Sequence, residues 1–323
     1  MPGLLHGKMN VLVTGATGFI GSHLCHALVQ RGYQVCGLSY SGNIKNIKPL
    51  LQQTNFHLIR GDIRDSEAIY RLLKDQNIGA IFHLAAQLPR VTDFDNPFLS
   101  LDINARGTLN LLHAACLNKI DRFIYSSSID VYSEPPEYLP EDEKHPTRPR
   151  THYGIGKLEG ELYTQLYAKI IKVTVLRYSI VYGKGGKPSG AVNQFIHQAL
   201  NNEPLIIHGD GNQSTDFVYI KDVVKSNLLA LELDKPGIYN IGSGEETSVK
   251  ALAQNILQLA ESSANILFTT EESNRPFRFV LDISLARRVL GFQPSSLRQS
   301  LAEYVEYAKH EKEGETCPQF YRG

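Results

Sequence analysis

Val11-Leu-Val-Thr-Gly15-Ala-Thr-Gly18-Phe-Ile-Gly21 reads as a short β-rich run that enters a glycine-rich turn and leaves it as a helix. That order is the context a dinucleotide fingerprint requires. Glycines at 15, 18 and 21 let the backbone approach a pyrophosphate, and Phe19 and Ile20 begin a helix whose free N–H groups and dipole offset its charge. A tight turn with no ligand could use the same residues, so the reading rests on what surrounds it.

Outward from that turn, β-rich runs at 10–14, 34–38, 56–60, 80–84, 122–127 and 173–177 alternate with helical patterns near 19–31, 66–75, 101–118 and 151–169. Strand–helix alternation of this kind predicts an α/β fold, a Rossmann-type doubly wound parallel sheet with helices on both faces. After Tyr182 a Gly/Lys/Pro stretch at 183–190 breaks the rhythm, and shorter elements follow up to a helix at 297–310. The expected division is an NAD(P)-binding domain over 1–182, with contributions from later segments, and a smaller substrate-binding lobe over 183–323. The Pro- and charge-rich segment 134–150 reads as a surface loop, and the tail from Glu311 as loosely ordered.

Composition narrows the partners. The 323 residues carry 33 Lys+Arg against 33 Asp+Glu, so nothing in the charge favours nucleic acid or an anionic membrane. Cys25, Cys36, Cys116 and Cys317 show neither a CxxC nor a Cys/His cluster, which predicts no disulfide framework and no metal site, and fits a reducing cytoplasmic compartment. Residues 1–9 are too short and polar for a signal peptide, and no apolar run reaches the roughly 18 residues of a membrane span.

The chemistry is carried by Tyr153-Gly-Ile-Gly-Lys157. Residues i and i+4 share a helix face, so a phenol and an ammonium can converge on one substrate atom. A nearby positive charge favours the phenolate, so the expected effect of Lys157 is to lower the Tyr153 pKa and make it a base for a hydroxyl group. On the cofactor side, the second strand ends in Leu38-Ser39-Tyr40-Ser41, where a ribose-binding acid would normally stand, and no Asp or Glu occurs between Val35 and Gly61. NAD and NADP therefore both remain open. Lys45 or Lys48 could meet a 2′-phosphate, or could simply be solvated.

Nine motifs in order resemble the extended short-chain dehydrogenase/reductase family, in its nucleotide-sugar epimerase/dehydratase branch, from about Asn10 to about Tyr307. They are Thr14 to Gly21, Gly61-Asp-Ile63, His83-Leu-Ala-Ala86, Asn104 with 107–112, Tyr125-Ser-Ser-Ser128, Tyr153 to Lys157, Gly209-Asp-Gly211, Asp216-Phe-Val-Tyr219 and Tyr239 to Gly244. The resemblance implies that Ser39, Asp62, Ile63, Leu84, Ala85 and Ala86 line the cofactor, that Asn104 orders the site, and that Gln87 reaches the substrate. It also implies that Ser128 polarises a sugar hydroxyl while Tyr153 removes its proton, with Lys157 on the nicotinamide ribose. A homodimer packed through the helices at 101–118 and 151–169 would follow, with a nucleotide sugar as the substrate.

Which reaction follows the first oxidation turns on departures from that family. Dehydratases related to it often carry Asp-Glu after the position of Ser128, where this chain has Ile129-Asp130. Ile129 cannot donate a proton, which favours 4-epimerisation through a transient 4-keto sugar with tightly held cofactor. Asp130 stands at the base position, so a 4,6-dehydratase stays open, as do an NADPH-dependent 4-ketoreductase and a non-catalytic NAD(P)-sensing module. Ile180 and Thr215 replace a common Asn and Arg, which leaves Arg275 as the expected grip on the diphosphate, with Lys184, Lys187 and Arg278 as possible helpers.

Overall fold

The computed structural model describes residues 9–88, 97–270 and 278–313. Strand β1 (Asn10–Thr14) leads into α1 (Phe19–Gln30), β2 (Gln34–Ser39), a 3-10 helix over Lys45–Gln52, β3 (Phe56–Arg60), α2 (Ser66–Asp75) and β4 (Ile78–His83). Then come α3 (Pro97–Ser100), six residues of wider i→i+5 winding at Leu101–Arg106, α4 (Gly107–Leu117), β5 (Arg122–Ser128), α5 (His152–Tyr167) and β6 (Lys172–Tyr178). The remainder is β7 (Ile180–Tyr182), α6 (Ala191–Leu200), β8 (Leu205–His208), β9 (Ser214–Tyr219), α7 (Ile220–Glu232), β10 (Ile238–Ile241), β11 (Glu246–Ser248), α8 (Val249–Ala260), β12 (Ile266–Thr269), α9 (Ser284–Leu290) and α10 (Leu297–Glu313).

Seven strands form one parallel sheet in the order β10-β6-β5-β4-β1-β2-β3. The outer seventh strand comes from beyond residue 183, and α7 packs beside α1. Strands such as Val11-Leu-Val are buried on both faces, as a sheet covered on both sides demands. One core lies under α1 and α7, and a second joins β1, β4 and β5 to α2 and α4. The chain runs from β1 outward to β3, then crosses back to β4, so β1 and β4 flank the point where strand order reverses. Ligands bind in the crevice at the carboxyl ends of the strands at such a point. The later segments form a three-stranded sheet β11-β9-β7 and a parallel pair β12-β8.

One expectation is refined and one corrected. Segment 134–150 is the loop its composition suggests, with most of its residues exposed or half-buried, yet it is anchored: Glu141 N–H donates to Val280 O at 2.8 Å, Asp282 N–H donates to Glu141 O at 2.8 Å, and the side chains of Glu141 and His145 are buried. Strand-like pairing to residues 140 positions away supplies the order that its Pro-rich composition conceals. Helix α10 also continues past His310 to Glu313, held by Lys312 Nζ donating to Leu200 O at 2.7 Å. The rest of the tail, with Cys317, lies outside the described residues.

Candidate active site

The glycine turn is built by close approach. Gly15 has φ +69°, and a Cβ on Gly21 would stand 2.2 Å from Gly15 O, which neither a side chain nor the turn could accommodate. Gly18 N–H donates to Gly15 O at 2.9 Å, and α1 then starts with no side-chain cap and no acid in its first turn. Its N–H groups are left to a ligand.

Behind the turn, Thr14, His83 and Thr108 form a directed chain of hydrogen bonds. Thr108 Oγ1 donates to Asn104 O at 2.6 Å, so it accepts from His83 Nε2 at 2.9 Å. His83 Nδ1 must then accept from Thr14 Oγ1 at 2.8 Å, while Thr14 Oγ1 itself accepts from the N–H groups of Leu84 and Ala85 at 3.1 Å each. Burial holds His83 well below the usual histidine range, with Lys157 adding to the effect, which keeps this tautomer neutral. Asn104 lies outside the cleft lining and works on backbone: its Oδ1 accepts from Gln87 N–H at 2.8 Å and its Nδ2 donates to Gln87 O at 2.9 Å. The stretch Leu84–Gln87 that follows β4 is thus fixed at both ends.

A cleft of about 510 Å³ is lined by Gly15, Gly18, Phe19, Ile20, Gly21, Ser39, Asp62, Ile63, Leu84, Ala85, Ala86, Gln87, Ser128, Tyr153 and Lys157. Thr17, Tyr40, Ser41, Arg64, Ser126, Tyr178 and Ser179 line it as well. The sequence reading assigned the first set; of the second, Thr17, Tyr40, Ser41 and Ser126 lie in stretches it quoted without giving them a role, and Arg64, Tyr178 and Ser179 are brought in by folding. Asp62 is held below the usual carboxylate range by Arg64, whose guanidinium grips it at 2.6–3.0 Å and lies 5.6 Å from the Tyr40 ring centre. Ser39 donates to Ser41 O at 3.1 Å and meets Thr17 Oγ1 at 2.7 Å. Lys45 and Lys48 are exposed on the 3-10 helix and do not line the cleft. Uncapped helix, glycine cradle and a cleft of this volume fit a dinucleotide.

At the cleft floor, α5 presents Tyr153 and Lys157, starting from a Thr151 cap that accepts from Gly154 N–H at 2.9 Å. The helix sits close on β5 because Gly160 leaves space: a Cβ there would lie 2.1 Å from the Tyr125 hydroxyl. Two residues with no assigned role in the sequence reading fix its angle. Glu161, fully buried, takes Arg177 Nε at 2.9 Å and Nη2 at 2.6 Å, and accepts from Ser127 Oγ at 2.5 Å. Arg177 Nη1 continues to the Tyr132 hydroxyl at 2.9 Å, and Tyr132 donates to Asn240 Oδ1 at 2.5 Å. The periodicity of α5 carried the only hint of Glu161, which repeats Lys157 one turn later.

The electrostatics of Tyr153 differ from expectation. Burial first, then the charge of Asp130, push its phenol above the ordinary range, against a Ser128 hydrogen bond that favours the phenolate. Lys157 is only 1% exposed, and burial lowers it to about 7 against the opposing pull of Glu161; its Nζ donates to Ser126 O at 2.6 Å. The predicted lowering of Tyr153 by Lys157 is therefore overridden by desolvation. Ser128 Oγ donates to Asp130 Oδ2 at 3.2 Å and caps the short 3-10 turn Ile129–Val131 by accepting from Asp130 N–H at 3.2 Å. Asp130 thus stands beside Ser128.

A second cleft, about 610 Å³, is lined by Asp130, Ile180, Lys187 and Thr215, among others. Arg278 pairs with Glu246 at 2.6 Å, and the Lys184 ammonium lies 4.4 Å from the Tyr307 ring centre; neither lines this cleft. Arg275 lies outside the described residues. Asp216, buried, accepts from Ser243 N–H and Oγ at 2.7 Å each and from Gly244 N–H at 3.0 Å, so it ties β9 to the 242–244 turn. Among the described residues no His/Cys/Asp/Glu cluster could hold a metal, Cys25, Cys36 and Cys116 are free, and no helix is long and apolar enough to cross a membrane.

Comparison with known proteins agrees with this geometry. The model of the NAD dependent epimerase/dehydratase family matches residues 11–242. A putative UDP-glucose 4-epimerase of Methanocaldococcus jannaschii is 37% identical over 308 residues, covering 93% of this chain and 98% of its own. The UDP-glucose 4-epimerase of Thermotoga maritima, solved with UDP-glucose, superposes with a TM-score of 0.87 at 32% identity, over 94% of this chain and 100% of its own. The UDP-glucuronic acid 4-epimerase of Bacillus cereus, solved with UDP-glucuronic acid and NAD, gives 0.84 at 34% identity, over 94% and 100%.

Proposed function

The chain belongs to the NAD dependent epimerase/dehydratase family, and from that premise we propose that it is an NAD-dependent nucleotide-sugar 4-epimerase acting through a transient 4-keto sugar. The observation that carries the reading is the meeting of Ser128, Tyr153 and Lys157 on the floor of the cofactor cleft, with Asp130 beside them facing the adjoining cleft. The dinucleotide, when bound, supplies the hydride acceptor and donor. Tyr153 takes the proton of the sugar C4 hydroxyl as the carbon is oxidised and gives it back when the ketone is reduced on its other face. Ser128 hydrogen-bonds the same oxygen in both steps, and Lys157 holds the ribose. A non-catalytic NAD(P)-sensing module has no need of this triad.

NAD is the cofactor of the Bacillus cereus structure. In this chain Ser39, Tyr40 and Ser41 present no acid to repel a 2′-phosphate, so NADP is also compatible, and an epimerase would hold either tightly through its catalytic cycle. A second reading, the 4,6-dehydratase, is favoured by Asp130 at hydrogen-bond distance from Ser128. We also read the apolar side chains exposed on α5, Ile155, Leu162 and Leu166, with Leu117 on α4, as the face of a homodimer. Unpaired cysteines fit a cytoplasmic setting. Incubation with UDP-, dTDP-, GDP- and CDP-hexoses, followed by product mass and proton NMR, tests the reading. Unchanged mass with an inverted C4 is expected; loss of water would make the protein a dehydratase, and net NADPH consumption a ketoreductase.

A further inference from the structure

Two side chains on the wall of the second cleft have no hydrogen-bond partner among the described residues. Glu141 is 0% exposed and Ser133 8% exposed, and both line the cavity that adjoins Asp130. Neither Glu141 carboxyl oxygen, nor the Ser133 hydroxyl, has a hydrogen-bond partner among the described residues. Buried polar groups are otherwise paired in folded proteins, and an unpaired one destabilises the fold unless something later satisfies it.

His145 does not serve as that partner. Its Nε2 lies 4.0 Å from Glu141 Oε1, but that nitrogen accepts from Glu137 N–H at 3.0 Å, while Nδ1 faces Pro146 O at 3.2 Å as a donor. No proton is left on the nitrogen nearest the carboxyl. The Glu141 backbone, in contrast, is satisfied through Val280, Asp282 and Asn240, so its chain segment is held in place and only the carboxyl is left over.

Resting on the reading of this cleft as the sugar site, we propose that Ser133 and Glu141 form a polar subsite that receives a hydroxyl-bearing sugar and discriminates against a uronic acid. Burial pushes Glu141 up to about 8, so near neutral pH it is a neutral acid that can donate and accept at once, as the Ser133 hydroxyl can. A sugar hydroxyl matches both. A sugar carboxylate accepts only, and would enter a cleft in which, among the described residues, Asp130 and Glu134 face a single cation, Lys187. The subsite therefore separates the two substrates carried by the Thermotoga and Bacillus structures, and it assigns to this chain the neutral hexose.

Calorimetric titration of the full chain with UDP, UDP-glucose and UDP-glucuronic acid, alongside ligand-free melting temperatures, tests this. The wild-type protein is expected to bind UDP-glucose at least about tenfold more tightly than UDP-glucuronic acid. Glu141→Leu should lose about tenfold in UDP-glucose affinity, leave UDP affinity unchanged and raise the melting temperature, because it removes an unpaired buried group. Glu141→Gln keeps a donor and an acceptor and should retain most of the UDP-glucose affinity; Ser133→Ala should lose part of it. Preference of the wild type for UDP-glucuronic acid would overturn the proposal, and so would a lower melting temperature for Glu141→Leu with unchanged UDP-glucose binding. Failure of UDP itself to bind would instead count against the uridine-nucleotide reading, and the melting temperature of Glu141→Leu would still decide on the subsite, a rise supporting it and a fall overturning it.

Discussion

The two clefts are built on different principles. Around the cofactor cleft many polar groups are tied up before any ligand arrives: behind its wall Thr14, His83, Thr108 and Asn104 form one chain of hydrogen bonds, and on its lining Asp62 is taken by Arg64. Recognition there falls to backbone, through the Gly15–Gly21 turn and the open end of α1. Among the described residues, the neighbouring cleft keeps Ser133 and Glu141 unpaired, and it relies on side chains from segments far apart in the chain. A site for a dinucleotide can be satisfied in advance, because its recognition is mainly of phosphate by N–H groups. A site that selects among sugars needs polar groups in reserve. The two buried titratable groups sharpen the contrast, since burial lowers Lys157 on one side and raises Glu141 on the other.

The largest effect expected from breaking this arrangement is on turnover. Tyr153→Phe should lower the rate with UDP-glucose by about a hundred- to ten-thousand-fold, the usual span for a general base, while dinucleotide affinity by titration stays unchanged. Retained turnover would remove the phenol from the chemistry and with it the special standing of the cofactor-cleft floor.

Next is the support beneath α5. Glu161→Gln leaves Arg177 buried without its counter-charge and should cost about 3–5 kcal/mol of stability in urea unfolding. The double variant Glu161→Gln/Arg177→Met should lose less than the sum of the two single changes, because the charge left uncompensated by either one is gone. Additive losses would mean that the pair is not the strut that orients Tyr153 and Lys157.

The pH dependence of stability is the smallest and most discriminating effect. Lys157 has its folded pKa lowered from 10.5 to about 7, so between those values the unfolded chain binds more protons and stability rises with pH. Glu141 has its folded pKa raised from 4.5 to about 8, so between those values the folded protein binds more protons and stability falls as pH rises. Each slope is at most ~1.4 kcal/mol per pH unit. In urea unfolding across pH, Glu141→Gln should flatten the falling limb and Lys157→Met the rising one. Parallel curves for wild type and Glu141→Gln below pH 8 would place Glu141 in water rather than in the wall of the second cleft.

Much of the first cleft was legible in the chain because its determinants are local. Gly15, Gly18 and Gly21 lie within one turn of each other, and Tyr153 and Lys157 within one turn of α5, so spacing alone brings each set together. The alternation of strands and helices likewise gives the parallel sheet, although the seventh strand at Ile238–Ile241 is too short to announce its sheet. What escaped reading depends on distant contacts. Glu161 and Arg177 meet across α5 and β6, Arg64 reaches Tyr40 from the turn after β3, and Glu141 pairs through its backbone with residues 280–282. Composition marks 134–150 as a loop, since Pro and charge ordinarily do, but nothing nearby in sequence reveals the strand-like pairing that anchors it at Glu141. The pKa of Tyr153 was misjudged for a related reason: helix spacing reveals the neighbouring ammonium but not the depth of burial that outweighs it.

The central claim is that the hydrogen on the sugar carbon moves as hydride and comes back, with Tyr153 handling only the hydroxyl proton. It is tested most directly with UDP-glucose deuterated at C4, turned over in ordinary water and examined by NMR and mass spectrometry. The account predicts a product inverted at C4 that keeps its deuterium at that carbon; inversion with the deuterium lost to solvent would contradict it.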